Sequence, residues 1–302
     1  MRRRALPALL LASPASLLAR PAPAQERPLR LVIAWPPGGS TDALGRMLAP
    51  PLAARLGREV VPENRSGAAG AIGAALVAQA PADGTALLLD SGGHATNPWL
   101  MRGLPFDYLA AFAPVALLAT LPLLLVVRAG HPAADAAALA ALRPEAYASV
   151  GVGSRTHLAA AAWARRGGFS ATHVPFRGGA EQVTALLRGD VPFAFASVAL
   201  AAPHLEAGRL RALGASAAGT PWPALGLDIK DWLGLHAPAA TPPALVARQA
   251  EAALAALAEV APRLPPLGMA ADGRGPAGFA AFLAADRAAM GALLRAEGIE
   301  AG

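Results

Sequence analysis

Residues 29–48, LRLVIAWPPGGSTDALGRML, constrain the fold more than any other stretch of the chain. The apolar, β-branched and aromatic run over 31–35 predicts a buried strand. Pro36 and Pro37 cannot donate to a ladder, and Gly38 and Gly39 permit positive φ, so the strand must break there. Ser40, Thr41 and Asp42 are favourable helix N-caps, and Ala43, Leu44, Met47 and Leu48 recur at helical spacing. Strand, glycine turn and helix start in that order leave unpaired backbone N–H groups and a positive dipole end at the carboxyl edge of a sheet. That edge is where open α/β folds bind anions.

The same punctuation recurs. An apolar strand over 85–90 runs into Ser91-Gly92-Gly93-His94-Ala95-Thr96-Asn97-Pro98, read as a second glycine-rich loop. A strand over 147–150 ends at Gly153-Ser154-Arg155-Thr156-His157, and one over 172–176 ends at Phe176-Arg177-Gly178-Gly179, each before a helical pattern. Two of the four loops precede a long extended run over 115–127, and two follow it. Strands alternating with helical stretches predict a mainly parallel sheet. Two α/β lobes facing one cleft, with helix starts pointing inward from both, produce this order. Gly67, Gly70 and Gly73 resemble a dinucleotide fingerprint, but the spacing places them inside a helix over 68–80, where close packing explains them better.

Composition narrows the class. Cysteine is absent, which excludes a disulfide framework and thiolate metal sites. Neither a HExxH motif nor a carboxylate cluster is present, so no metal and no cofactor is expected. Residues 2–4 are arginine, 5–19 are apolar, and Ala22-Pro23-Ala24 offers a cleavage site, which predicts a secretory signal over 1–24. That segment carries four arginines and no acid, so its removal lowers the formal charge from +6 to +2. No basic stripe then remains to suggest a nucleic-acid partner.

A series of motifs resembles the Bug receptors, the substrate-binding receptors of tripartite tricarboxylate transporters. In order they are Pro36 to Asp42, Glu63-Asn64-Arg65, His94 to Pro98, Leu104-Pro105-Phe106-Asp107, Phe112-Ala113-Pro114-Val115, Gly153-Ser154 with Thr156-His157-Leu158, His173 to Gly178, and Gly208 to Leu213. The resemblance runs from about residue 28 to the C-terminus. It implies a periplasmic-binding-protein type II-like fold of two α/β lobes with a cleft and hinge crossings. The implied division is a signal peptide over 1–24, one lobe from 25–121 with 229–302, and a second over 122–228. It further implies a periplasmic, monomeric receptor that closes over a small organic anion and delivers it to a membrane permease. The implied ligand-binding residues are Pro37, Gly38, Gly39, Ser40, Thr41 and Asp42; Ser91, Gly92, His94, Thr96 and Asn97; Gly153, Ser154, Thr156 and His157; and Phe176, Arg177 and Gly178. The chain departs from the family pattern at Gly93, where a threonine is common, and at Ala196, where an aspartate is frequent. Loss of that aspartate favours plain carboxylates over amino acids.

Residue chemistry sets other expectations beside these. Asp42 suits capping its own helix better than touching an anion, which a carboxylate repels. His94 and His157 suit hydrogen bonds to their own loops. The rival enzyme reading is an exported serine hydrolase using Ser40 or Ser154 with His94 or His157, although no Gly-x-Ser-x-Gly elbow is present. A third reading is a sensor or relic that kept the fold and lost transport.

Overall fold

A computed structural model describes residues 27–300. The proposed signal segment over 1–24 lies outside the described residues. Ten strands form one continuous, curled sheet in the order β2-β1-β3-β9-β4-β7-β5-β6, with β10 and β8 also pairing β4. The first three strands, β1 (Leu29–Ile33), β2 (Val60–Asn64) and β3 (Ala86–Ser91), are mutually parallel around β1. So are β5 (Ala146–Ser149), β6 (Thr172–Pro175) and β7 (Phe193–Ser197) around β5. Between these blocks run β4 (Phe112–Arg128) and β9 (Lys230–Pro238), antiparallel to each other.

The sheet is therefore mixed, not mainly parallel. Alternation of apolar segments records that strands exist but not their direction, and β4 and β9 return antiparallel to their neighbours. The 17-residue β4 is shared by both lobes. Its first half pairs β9 and β10 (Ala270–Arg274), and its second half pairs β7 and β8 (Leu210–Ala215). Register shifts near Pro114 and Leu117 interrupt its pairing with β9.

Each lobe has its own core. In the first, α1 (Ser40–Leu56) and α8 (Pro243–Val260) cover β1, β3 and β9, burying Leu31, Ile33, Leu44, Leu52, Leu89, Leu235 and Leu257. In the second, α5 (Arg155–Arg166) buries Trp163 against Phe193 and Phe195 on one sheet face, and α6 (Gly179–Arg188) buries Val183 and Leu186 on the other. Burying such side chains contributes about 1.5–3 kcal/mol each. The last helix, α9 (Pro276–Ala296), joins the lobes: Phe279 and Leu283 pack on Ala95, Leu117 and Trp232, and Leu294 packs on Leu100 and Leu158.

Two local expectations change. The stretch 91–98 is not a loop: α3 (Gly93–Leu100) begins there, and Pro98 is accommodated within it. The helix expected over 68–80 is a 3₁₀ turn, Ala68–Gly70, followed by α2 (Ala71–Ala78). Gly67 (φ +131°) and Gly70 (φ +91°) therefore shape the turn before the helix, and only Gly73 lies within it.

Candidate functional site

A cavity of about 200 Å³ lies between the lobes. The first lobe lines it with Trp35, Pro36, Pro37, Gly39, Ser40 and Thr41 after β1, with Ser91 and Gly93 after β3, and with Asp231 at the start of β9. The second supplies Val150, Ser154, Arg155 and Thr156 after β5, residues 177–182 after β6, and Ser197 and Leu200 at the start of α7 (Val198–Glu206). Leu121 and Leu123 of β4 complete the wall. Five helices begin here, capped by Gly39, Gly92, Ser154, Gly178 and Ser197. The first turn of each has N–H groups without an intrahelical acceptor, and each adds a partial positive charge. The fifth start, at Ser197, was not among the four expected, because Ser197-Val198 carries no glycine.

The lobes touch around this cavity. Thr96 Oγ1 donates to Gly153 O at 2.9 Å across the gap. A Cβ on Gly178 would stand 2.8 Å from Pro36 Cγ on the opposite rim. At Gly153 a Cβ would stand 2.0 Å from Leu100 Cδ1, and its φ of +73° independently requires glycine.

The least exposed charged residue lining the cavity is Arg155, which sequence reasoning passed over within a motif it otherwise used. Arg155 is 2% exposed. Its Nη2 donates to Asp286 Oδ2 on α9, which also accepts Trp232 Nε1–H at 2.9 Å. Its Nε and Nη1 have no partner. Gly92 is obligatory beside it, since a Cβ there would lie 2.2 Å from Arg155 Nε and 2.8 Å from Asp231 Oδ1. Asp231 Oδ1 accepts the N–H of Gly92 at 2.8 Å and of Trp232 at 2.9 Å. Burial pushes the Asp231 carboxyl up to about 6, against the opposing pull of Arg155. Three other cavity residues hold buried unpartnered atoms: Ser40 Oγ, Ser197 Oγ and Gln182 Oε1.

Of the residues expected at the ligand, Pro37, Gly39, Ser40, Thr41, Ser91, Ser154, Thr156, Arg177 and Gly178 line the cavity. The others sit behind it. Gly38 donates its N–H to Asp42 Oδ2 at 3.0 Å. Asp42 does not cap α1, whose N-cap is Gly39; it also accepts from Arg46 and Asn64. Burial raises the Asp42 carboxyl, but these bonds outweigh it and hold the group below the usual range. Gly92 serves Asp231 as described. Asn97 donates to Ala69 O and Tyr108 Oη, at 3.0 and 2.9 Å. Phe176 packs in the apolar cluster of the second lobe.

The histidines are equally internal. His94 Nδ1 lies 3.2 Å from Asp90 Oδ2, and its ring stacks on His236 at 4.0 Å. Burial and Arg287 bring His94 down to about 3, while burial lifts Asp90 to about 7. His157 Nδ1 accepts the N–H of Gly153 at 3.0 Å, and its ring stacks on His173 at 3.7 Å. Ser154 Oγ donates to Gly151 O and caps α5 through the N–H of His157. Neither Ser40 nor Ser154 hydrogen-bonds a histidine ring. Among the described residues no group of three potential ligands could hold a metal ion.

Residues 44–265 match the family model described as the tripartite tricarboxylate transporter family receptor. Over 272 residues, covering 82% of this chain and 79% of the relative, the sequence is 35% identical to the UPF0065 protein in the tcbD-tcbE intergenic region of Pseudomonas sp. (strain P51). It is 34% identical to BugT of Bordetella pertussis, covering 73% of each chain. Among solved structures, the periplasmic binding protein BugD superposes with a TM-score of 0.85 at 25% identity, over 92% of this chain and 99% of that one. MatC from Rhodopseudomonas palustris with bound malate gives 0.82 at 28% identity, over 89% and 99%. An R. palustris protein with adipate gives 0.85 at 28% identity, over 92% and 99%. The inward-facing helix starts, the two lobes and these likenesses agree: the chain belongs to the tripartite tricarboxylate transporter family of periplasmic solute-binding receptors.

Proposed function

We propose that this receptor captures a small organic carboxylate in the interlobe cavity and delivers it to the membrane permease of a tripartite tricarboxylate-type transporter. One observation carries the reading: five helix N-termini and the buried Arg155 border a single cavity. Hydrogen bonds to a charged group contribute roughly 1.5–3 kcal/mol each. Groups from both lobes on one anion would favour the closed arrangement over an open one, the differential interaction that closure requires. The volume is below the roughly 300–1,000 Å³ of drug-sized sites, which suits a ligand of a few carbons. The malate and adipate in the related structures are ligands of that size and charge.

The same reading assigns residues 25–121 and 229–302 to one lobe and 122–228 to the other, close to where β4 changes partners. It places the mature chain, freed of residues 1–24, in the periplasm as a monomer that performs no chemistry. Thermal unfolding in the presence of malate, adipate and citrate tests it. A ligand at about 100 Kd adds roughly 2.7 kcal/mol, or about 5–11 °C for a chain of this size. If no carboxylate raises Tm, and the protein instead hydrolyses ester substrates, the receptor reading fails.

A further inference from the structure

A buried carboxyl stands behind the cavity and has no part in the ligand contacts described so far. Asp90, near the end of β3, is fully buried, as are Leu87, Leu88 and Leu89 before it. An ionisable group in such a place is costly unless its hydrogen bonds are used. Its Oδ1 accepts the Nε1–H of Trp35 at 3.1 Å and the N–H of Ser91 at 2.8 Å, and its Oδ2 lies 3.2 Å from His94 Nδ1. Trp35 and Ser91 line the cavity, and Asp90 and His94 lie one layer back. Among the described residues Trp35 is the one aromatic side chain lining that cavity.

Trp35 is seated at three points. Its indole N–H ends on Asp90, and its carbonyl oxygen accepts Asn64 Nδ2–H at 3.0 Å. Its ring lies against the bare backbone of Gly93, where a Cβ would stand 3.3 Å from Trp35 Cζ2 and 3.0 Å from Ala69 O. A side chain at 93, such as the threonine of the family pattern, would crowd the indole from that side. Gly70 makes room for the carboxyl in the same way: a Cβ there would stand 3.1 Å from Asp90 Oδ1. The departure at Gly93 and the hydrogen bond to Asp90 are thus two parts of one seat. A wall that the ligand has to order weakens binding by the entropy of ordering it, and a wall already held does not.

Resting on the receptor reading above, we infer that Asp90 is a positioning residue: its Oδ1 holds the Trp35 indole as a fixed wall of the cavity, and ligand affinity depends on that hydrogen bond. Asp90 touches no ligand itself and acts through Trp35 alone.

Titration calorimetry with malate, adipate and citrate, following whichever binds tightest, tests the inference. Trp35→Phe keeps most of the ring and loses the N–H, and Asp90→Ala removes the acceptor. Each should weaken binding about fivefold or more. The double variant should lose no more than the larger single loss, because both changes remove one bond. Asp90→Asn keeps an oxygen for the Trp35 and Ser91 N–H groups and should restore affinity to within about twofold of the wild type. A second readout needs no acid. The fluorescence of Trp35, taken as the difference between each protein and its Trp35→Phe counterpart, should be quenched more by acrylamide in Asp90→Ala than in the wild type. Wild-type affinity in Trp35→Phe, losses that multiply in the double variant, or unchanged quenching of Trp35 overturns the inference and leaves the receptor reading intact. If Asp90→Ala fails to fold by circular dichroism, Trp35→Phe and Asp90→Asn decide: wild-type affinity in the first, or a fivefold loss in the second, overturns it. Binding of none of the three acids overturns the receptor reading itself, while the quenching still tests the seat of Trp35.

Discussion

Replacing Arg155 with methionine keeps most of the aliphatic volume and removes the charge that ties α5 to α9. The Arg155–Asp286 pair joins residues 131 apart in sequence, and the Arg155 side chain is 1% exposed against 12% for Asp286. Removing one partner of a buried pair strands the other charge, at a cost of about 3–5 kcal/mol. Asp286 keeps the Trp232 Nε1–H bond and some solvent, which places the effect at the lower end, near 3 kcal/mol. For a chain of this size that corresponds to a Tm lowered by about 6–12 °C. Scanning calorimetry measures it, and a cycle with Asp286→Asn isolates the pair. The double variant should be more stable than the sum of the two single losses predicts, because it leaves neither member of this pair without the other. Carboxylate affinity should also fall in Arg155→Met, since a positive charge is lost from a residue lining the cavity. A Tm change under about 2 °C, or additive single effects, would refute the view that this contact locks the two lobes.

Three further outcomes follow from the same geometry. Gly178→Val meets no backbone strain (φ −171°), but its Cβ would stand 2.8 Å from Pro36 Cγ, so the rims must part to admit it and ligand affinity should fall at least about tenfold, as titration calorimetry would measure. Asp90 and Asp231 hold their protons to higher pH in the folded chain than the ordinary value of 3.8, up to about 7 and about 6. These two carboxyls alone therefore make stability fall as pH rises from about 4 to about 7, while His94 and His157, brought down to about 3, and His173, to about 4, are protonated only in the unfolded chain over most of that interval and make it rise. Asp90→Asn, which mimics the protonated carboxyl toward His94 Nδ1, removes one falling contribution and should make Tm rise more steeply with pH over this interval; an unchanged Tm–pH curve removes Asp90 as a contributor. Ser154→Ala should lower Tm by a few degrees through loss of the α5 cap, about 1 kcal/mol, without altering any rate of ester cleavage.

What could be read from the sequence was whatever depends on neighbours along the chain. The apolar run of β1, the Pro36 to Gly39 break and the start of α1 follow from local rules, and so do the turns before α5 and α6. The ligand-facing half of each motif emerges from the same rules, because the first helical turn faces the cavity that the strand end borders. Position along a motif did not distinguish facing from backing residues: His94, Asn97 and His157 sit in those motifs yet point into the lobes. The parts that escaped are long-range or weakly patterned. β10, with sequence AADGR, has neither apolar alternation nor burial to mark it, and exists through its pairing with β4. Strand direction in β4 and β9 is a property of the whole sheet. Arg155 looked like one more polar residue at a helix start until α9 brought Asp286 to it. Asp231 and Gln182, 49 positions apart, became notable only when the fold put both on one cavity.

The most direct measurement is a crystal structure of the protein grown with malate. The account predicts a carboxylate of the ligand within hydrogen-bond distance of helix-start amides from both lobes, at Ser40 or Thr41 on one side and Gly179 or Ala180 on the other. Malate bound outside the lobes, or touching one lobe alone, would contradict it.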